Sequence, residues 1–257
     1  MTSSDGRVGT TDAAGRRERF RALHADGLLV MPNPWDVGSA RMLAGMGFQA
    51  LATTSSGHAA TLGRADQEVT RDELLAHAAV LAAAVDVPVS VDAERCFSAE
   101  PAGVAETVRA LADAGAAGCS IEDYDPATGR CDDLNVAAER VAAAAGAARA
   151  SGLVLTARAE QHLYGAPDLD DTIARLCAYR DAGADVVYAP GLVALDDIAR
   201  VVAACALPVN VLLTPATPPL HDLATAGVRR VSTGGALARR AYAAAREAAQ
   251  ALRDAAV

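Results

Sequence analysis

The chain has 257 residues, 52% hydrophobic and 21% charged, which is enough to bury a sizeable core as one domain. Its formal net charge of −9 argues against nucleic acid or an anionic membrane as a partner, because either would repel it. All 23 basic residues are arginine, which excludes Schiff-base chemistry, a phosphate-loop lysine and a lysine general acid or base.

No apolar run reaches membrane-spanning length and the polar start has no signal-peptide core, so a cytoplasmic protein is expected. Cys96, Cys119, Cys131, Cys177 and Cys205 show no paired metal spacing and are expected as reduced thiols.

In chain order, residues 1–15 (MTSSDGRVGTTDAAG) are small and polar and predict a disordered tail, followed by one domain over 16–257. Short apolar, β-rich runs then alternate with Ala/Leu/Arg stretches of helical period. The runs are LLVMPNP from 28, ALATTSS from 50, VPVSVDAE from 87, GCSIEDY from 118, LVLTARAE from 153, DVVYAPG from 185, PVNVLL from 208 and RRVSTGG from 229. Strands that are apolar throughout and alternate with helices predict a parallel sheet covered on both faces. Eight such units predict a (β/α)8 TIM-type barrel. The alternative, a doubly wound open sheet, lacks a Gly-rich fingerprint after its first strand and is overfilled by eight units.

A barrel of this kind places its active site at the C-terminal ends of the strands. Asp92, Glu94 and Glu122 stand at that edge on adjacent strands, with 92 and 94 two apart and so on one face of their strand. Three converging carboxylates repel one another unless a cation lies among them, and oxygen ligands suit Mg2+ or Mn2+; the alternative is solvated strand-end acids. Arg158 is the natural fork for an anionic substrate, a small carboxylate, with a structural pair to Glu122 or Glu160 as its alternative. The TTSSGH turn offers hydroxyls and backbone N–H groups to a carboxylate, and Trp35, Tyr188 and Asn210 are further candidates at the same rim. His58 and His162 are expected as packing or surface residues, and Cys131 as an inert thiol.

These residues carry a resemblance. PNPWDVGSARMLAGMGFQALATTSSG with LGRAD, then SVDAE, GCSIED, TARAE, DLDDTIARLCAYRDAGADVVYAPGL, PVNVLL and GVRRVSTGGALARRAY, in this order, resemble the isocitrate lyase/phosphoenolpyruvate mutase superfamily over residues 28–240. The resemblance implies a (β/α)8 barrel and a homo-oligomer, dimer or tetramer, whose subunits exchange the last helix. It implies Mg2+ near Asp92, Glu94 and Glu122, with Asp66 close by through water, and Arg158 as the substrate-carboxylate arginine. It places Thr54 and Ser55 in the loop that holds the oxyanion end of a 2-oxo acid. The family makes or breaks C–C or P–C bonds beside a carboxylate through an enolate.

The sequence departs from the family in two places. The lyases carry Lys-Arg-Cys-Gly-His or a close variant in a mobile loop after the fourth strand, and the mutases a lysine and an asparagine there. Here the loop reads DYDPATGRCDD. The family also follows its acidic pair with Gly-Tyr/Phe-Gly, where this chain has Cys96, Phe97 and Ser98, which predicts a reshaped floor. The expectation is a Mg2+-dependent enzyme cleaving a C–C bond of a small 2-oxo or 2-hydroxy carboxylate, with Tyr188 or a metal-bound water protonating the enolate. Decarboxylation tolerates the missing loop best. The alternatives are a P–C bond enzyme and a catalytically silent barrel.

Overall fold

The structure, a computed structural model, describes residues 13–165 and 167–256. Residues 1–12 of the expected tail lie outside the described residues. Residues 13–15, assigned to the tail from the sequence, begin helix α1 (Ala13–Ala22).

All eight expected runs are strands of one parallel sheet: β1 (Leu29–Met31), β2 (Leu51–Ala52), β3 (Val89–Asp92), β4 (Gly118–Glu122), β7 (Val154–Arg158), β8 (Val186–Tyr188), β9 (Val209–Leu212) and β10 (Arg230–Ser232). Their order, β1-β10-β9-β8-β7-β4-β3-β2, brings the two end strands round to face each other. The Ala52 amide donates to the Pro32 carbonyl at 3.2 Å across that seam. The sheet is thus nearly closed as a (β/α)8 barrel.

The helices between strands form the outer ring: α2 (Val37–Gly45), α4 (Arg71–Ala84), α5 (Pro101–Asp113), α6 (Leu134–Ser151), α8 (Leu169–Asp181), α9 (Leu195–Cys205) and α10 (Leu220–Thr225). Local chemistry sets their ends. Asp36 with Ser39 and Thr70 with Glu73 form reciprocal capping boxes that start α2 and α4. Gly152, at φ +75°, ends α6 in the left-handed conformation that glycine adopts without steric cost. Two short helices, α3 (Ser55–Thr61) and α7 (Gln161–Tyr164), follow β2 and β7 at the C-terminal rim. An antiparallel hairpin, β5 (Tyr124–Asp125) with β6 (Arg130–Cys131), occupies the divergent loop and was not foreseen from periodicity.

Strand residues alternate. Val91, Ile121, Leu155, Val187, Val211 and Val231 join the apolar layer beneath the helices. The opposite face turns inward and is polar: Ser90, Ser120, Thr156, Asn210 and Arg230 are all buried there. Branched apolar residues commonly fill such barrels; small polar ones here leave room for a cavity. Phe20 of α1 closes the other end, where a Cβ on Gly118 would come within 2.6 Å of its ring.

The last helix, α11 (Ala236–Ala255), buries only Ala238. Leu252 is 74% exposed and Tyr242 41%, so the helix projects an apolar face from the barrel. Among the described residues no helix is long and apolar enough to cross a membrane.

Candidate active site

Glu122, Arg158 and Tyr188 are register partners across β4, β7 and β8, which sets three functional side chains in a row at the rim. Arg158 is at the centre. Its Nη1 donates to Asp92 Oδ1 at 2.5 Å, its Nη2 lies 3.2 Å from Glu122 Oε2, and its Nε donates to Glu160 Oε1 at 2.7 Å. Its guanidinium carbon stands 5.4 Å from the centre of the Tyr188 ring, within cation–π range.

Asp92 is fixed from several sides. Ser120 Oγ donates to Oδ1 at 3.1 Å, the Ser55 amide donates to Oδ2 at 3.1 Å, and the Asp92 amide donates to Thr53 Oγ1 at 2.9 Å. Gln67 Nε2 donates to Glu122 Oε1 at 2.8 Å. One shell further out, Asp123 accepts from the Glu160 amide, the Tyr179 hydroxyl and Arg175, and so braces the turn that carries Glu160.

The charges do not balance. Burial drives the Asp92 carboxyl up, but Arg158, Ser55 and Ser120 outweigh it and hold Asp92 below its ordinary range. Burial lifts Glu122 and Glu160 above theirs despite Arg158. Asp66 is raised by burial and by Asp92. Glu94 is pushed up to about 8, by burial and then by Asp92 and Asp66. Arg158 pairs with three of these five acids, and Glu160 Oε2 is buried without a hydrogen-bond partner among the described residues. A donor set made only of carboxylate oxygens with excess negative charge suits a hard divalent cation.

A cavity of about 430 Å3 opens over this cluster, walled by the expected residues Thr54, Ser55, Asp66, Asp92, Arg158 and Tyr188. Four other expected residues lie off its wall. Trp35 packs beside α3, its Cβ 3.0 Å from where a Cβ on Gly57 would stand. Asn210 lies beneath, accepting from Arg230 Nε at 2.9 Å and donating to Ser232 Oγ at 3.0 Å. Glu122 is buried behind Arg158. Glu94 faces a second cavity of about 230 Å3 with Gln67, Phe97 and Asp125.

The three expected acids are spread over this rim. Among the described residues no three His, Cys, Asp or Glu side chains are gathered as a metal cage. The shared-face argument for residues 92 and 94 fails because β3 ends at Asp92 and Glu94 takes a left-handed φ of +48°. Arg158 meanwhile sits between Asp92 and Glu122. Arg158 forms the pairs with Glu122 and Glu160 that were its structural alternative, and it also lines the cavity. Cys96 and Phe97 also hold left-handed φ, +58° and +56°. The turn thus keeps a glycine-type backbone without glycine, at a steric cost.

The hairpin loop is fastened down. Asp132 accepts from Arg95 at 2.6 Å and from Arg140 at 2.8 Å, and its carbonyl accepts from Arg175 at 2.8 Å. Tyr124 stacks on Tyr164, a residue of the first cavity's wall, with ring centroids 3.9 Å apart. The Cys131 thiol is pushed up to about 12 by burial and Asp123, in keeping with an inert group.

Sequence reasoning overlooked Gln67, Ser120, Tyr164 and Arg230. Ser120 and Arg230 carried a usable signal, since each is two residues from an inward partner, Glu122 and Ser232. Gln67 and Tyr164 lie in aperiodic rim segments that carry none.

Fold and site together define a barrel enzyme with an acid–arginine cluster at the C-terminal ends of its strands. The profile of the phosphoenolpyruvate phosphomutase family matches residues 20–253. An uncharacterized protein of Mycobacterium tuberculosis is 36% identical over 91% of this chain and 89% of its own. A Corynebacterium glutamicum protein assigned as 2-methylisocitrate lyase 2 is 33% identical over 77% of this chain and 67% of its own. An oxaloacetate decarboxylase of Bradyrhizobium sp. is 31% identical over 84% and 76%. A solved structure from Burkholderia cenocepacia J2315, assigned as a lyase/mutase, is 51% identical with a TM-score of 0.91, covering 94% of this chain and 89% of that one. The chain belongs to the phosphoenolpyruvate mutase/isocitrate lyase superfamily, and it is an enzyme of the carbon–carbon lyase type.

Proposed function

We propose that the protein is a Mg2+-dependent enzyme that cleaves a C–C bond of a small 2-oxo or 2-hydroxy carboxylate, as a lyase or decarboxylase, through an enolate. The observation that carries this reading is the charge imbalance round Arg158: it pairs with Asp92, Glu122 and Glu160 at once, with Asp66 and Glu94 close to Asp92, at the edge of a substrate-sized cavity.

Asp92 and Glu122 are the residues to hold the cation, Mg2+ or Mn2+, with Asp66 and Glu94 completing the acidic surround. When bound, the ion supplies Lewis-acid charge to the substrate oxygen next to the carboxylate. If Asp92 and Glu122 held the ion, Nη1 and Nη2 of Arg158 would be free to grip that carboxylate, with Nε on Glu160. Thr54 and Ser55 line the same end of the cavity. Tyr188 is raised above its ordinary range by burial, so its phenol keeps a proton that it can give to the enolate carbon. Decarboxylation needs no proton delivered to a leaving fragment, which matches a hairpin loop that holds neither lysine nor histidine.

The family profile's name supports a P–C bond reading, but the hairpin carries neither the lysine nor the asparagine of the mutases. Five free cysteines support a cytoplasmic setting. The exposed face of α11 supports a homo-oligomer, dimer or tetramer.

The test is to supply Mg2+ with oxaloacetate, 2-methylisocitrate, dimethylmalate or phosphonopyruvate and watch for pyruvate or another 2-oxo acid. Turnover of a carboxylate that requires the ion is expected. No turnover on any of them, with oxalate failing to bind in the presence of Mg2+, overturns the reading.

A further inference from the structure

The barrel holds a second guanidinium in a different electrostatic setting. Arg230 on β10 is 4% exposed, and its Nε and Nη1 donate to Asn210 Oδ1 and Thr156 Oγ1, each at 2.9 Å. Both acceptors are neutral. Among the described residues no carboxylate pairs with Arg230, and no hydrogen bond to its Nη2 is formed, whereas Arg158 holds three acids. Burial lowers Arg230 to about 10, with Tyr188 opposing the shift and Arg158 adding to it. An arginine buried without a counter-ion is costly, and two neutral hydrogen bonds only partly offset that cost.

Position adds to this. Arg230 is part of the wall of the same cavity as Asp92 and Arg158. It is anchored on Thr156, two residues before Arg158 on β7, or about 6.6 Å deeper at 3.3 Å per residue. The cavity therefore has an acid-rich pole at the strand tips and a cationic pole one inward layer below. A ligand with an anion at one end only would leave the lower guanidinium uncompensated.

We infer that Arg230 receives a second anionic group of the substrate, so that the cavity takes a short dicarboxylate with its 2-oxo or 2-hydroxy acid end at Asp92 and Arg158 and its distal carboxylate on Arg230. This rests on the proposed reading of the upper pole. Asn210 and Thr156 act as positioning residues, aiming the guanidinium by occupying Nε and Nη1 and leaving Nη2 to the ligand. The consequence is discrimination by charge: a monocarboxylate of the same head group loses a charge-assisted hydrogen bond in a dry site.

Malate and lactate are suitable probes, because they share the 2-hydroxy acid end and differ in the distal carboxylate. Calorimetric titration of the full chain with Mg2+ should give tighter binding of malate by on the order of tenfold or more. Arg230→Gln should bring the two affinities together, with circular dichroism confirming its fold. Equal affinities in the wild type overturn the inference without any variant, as does an unchanged preference in folded Arg230→Gln. If malate outbinds lactate equally well with the ion chelated, and oxalate does not bind, the dicarboxylate assignment is supported and the Mg2+ reading falls.

Discussion

Arg158 and Tyr188 are register partners on β7 and β8, with the guanidinium carbon 5.4 Å from the centre of the phenol ring. The charge lies over the ring while the N–H groups of the fork point to Asp92, Glu122 and Glu160. A lysine at 158 would keep the charge but lose the paired donors that bridge Asp92 and Glu122. For Arg158→Lys we expect kcat/KM to fall on the order of 10²-fold or more, with the protein still folded. Intact turnover in that variant removes Arg158 from the chemistry.

Asp92 is the acid held below its ordinary range, and so the one kept ionised for a cation at neutral pH. Mn2+ at about 100 times its dissociation constant should stabilise the wild type by about 2.7 kcal/mol, a rise in Tm of a few degrees. Asp92→Ala should abolish that rise. The same Mn2+ shift in the variant would remove Asp92 from the ion's ligands.

The imidazoles should lower stability in acid. Burial pushes His77 to about 4, helped by the stacked ring of His58 at 3.8 Å, and pushes His24 to about 4, helped by Arg230. The folded state keeps both neutral down to that pH, whereas the unfolded chain protonates them near 6.5, so the unfolded state binds more protons between 6.5 and 4. Glu94 and Glu160, held up at about 8 and about 7, bind protons in the folded state over the same range and act the other way, so the imidazole contribution shows as a difference: the Tm of wild type should fall relative to that of His77→Gln as pH drops from 6.5 to 4. Parallel Tm–pH curves for the two proteins would contradict this.

Residues 241–256 of α11 are exposed throughout. Deleting 241–257 should leave the barrel folded and reduce the assembly to a monomer, or to aggregate if the uncovered partner surface is sticky. Full-length protein that already scatters light as a stable monomer would rule out an α11-mediated oligomer.

How much of this was legible in the sequence varies by element. The barrel was, because eight apolar runs alternate with helical periods and each became a strand. Inward polarity was partly legible: in Ser90-Val91-Asp92 the two-residue alternation holds, and it places Asp92 at the site. It fails two residues later, where the strand has ended and Glu94 turns left-handed, an angle that propensity does not assign to glutamate. Trp35 looked like a rim residue by its distance from β1, but the chain already turns into the capping box of Asp36, which sets the Trp35 Cβ beside Gly57 of α3. Which acids Arg158 would bridge depends on three strands arriving side by side, and local sequence does not encode that.

Asp132 is a knot. Arg95 from the turn after β3, Arg140 from α6 and Arg175 from α8 all close on it, binding the hairpin to three separate parts of the framework. A hairpin tied in this way opens only by breaking several charged contacts together, so it behaves as masonry and not as a door. Its Tyr124, stacked on the wall residue Tyr164, should hold that side of the cavity still while small molecules enter and leave. Adding sucrose or another thickening agent should slow turnover no more than it slows diffusion itself, and Asp132→Ala should loosen the hairpin and make it a preferred site of proteolytic nicking.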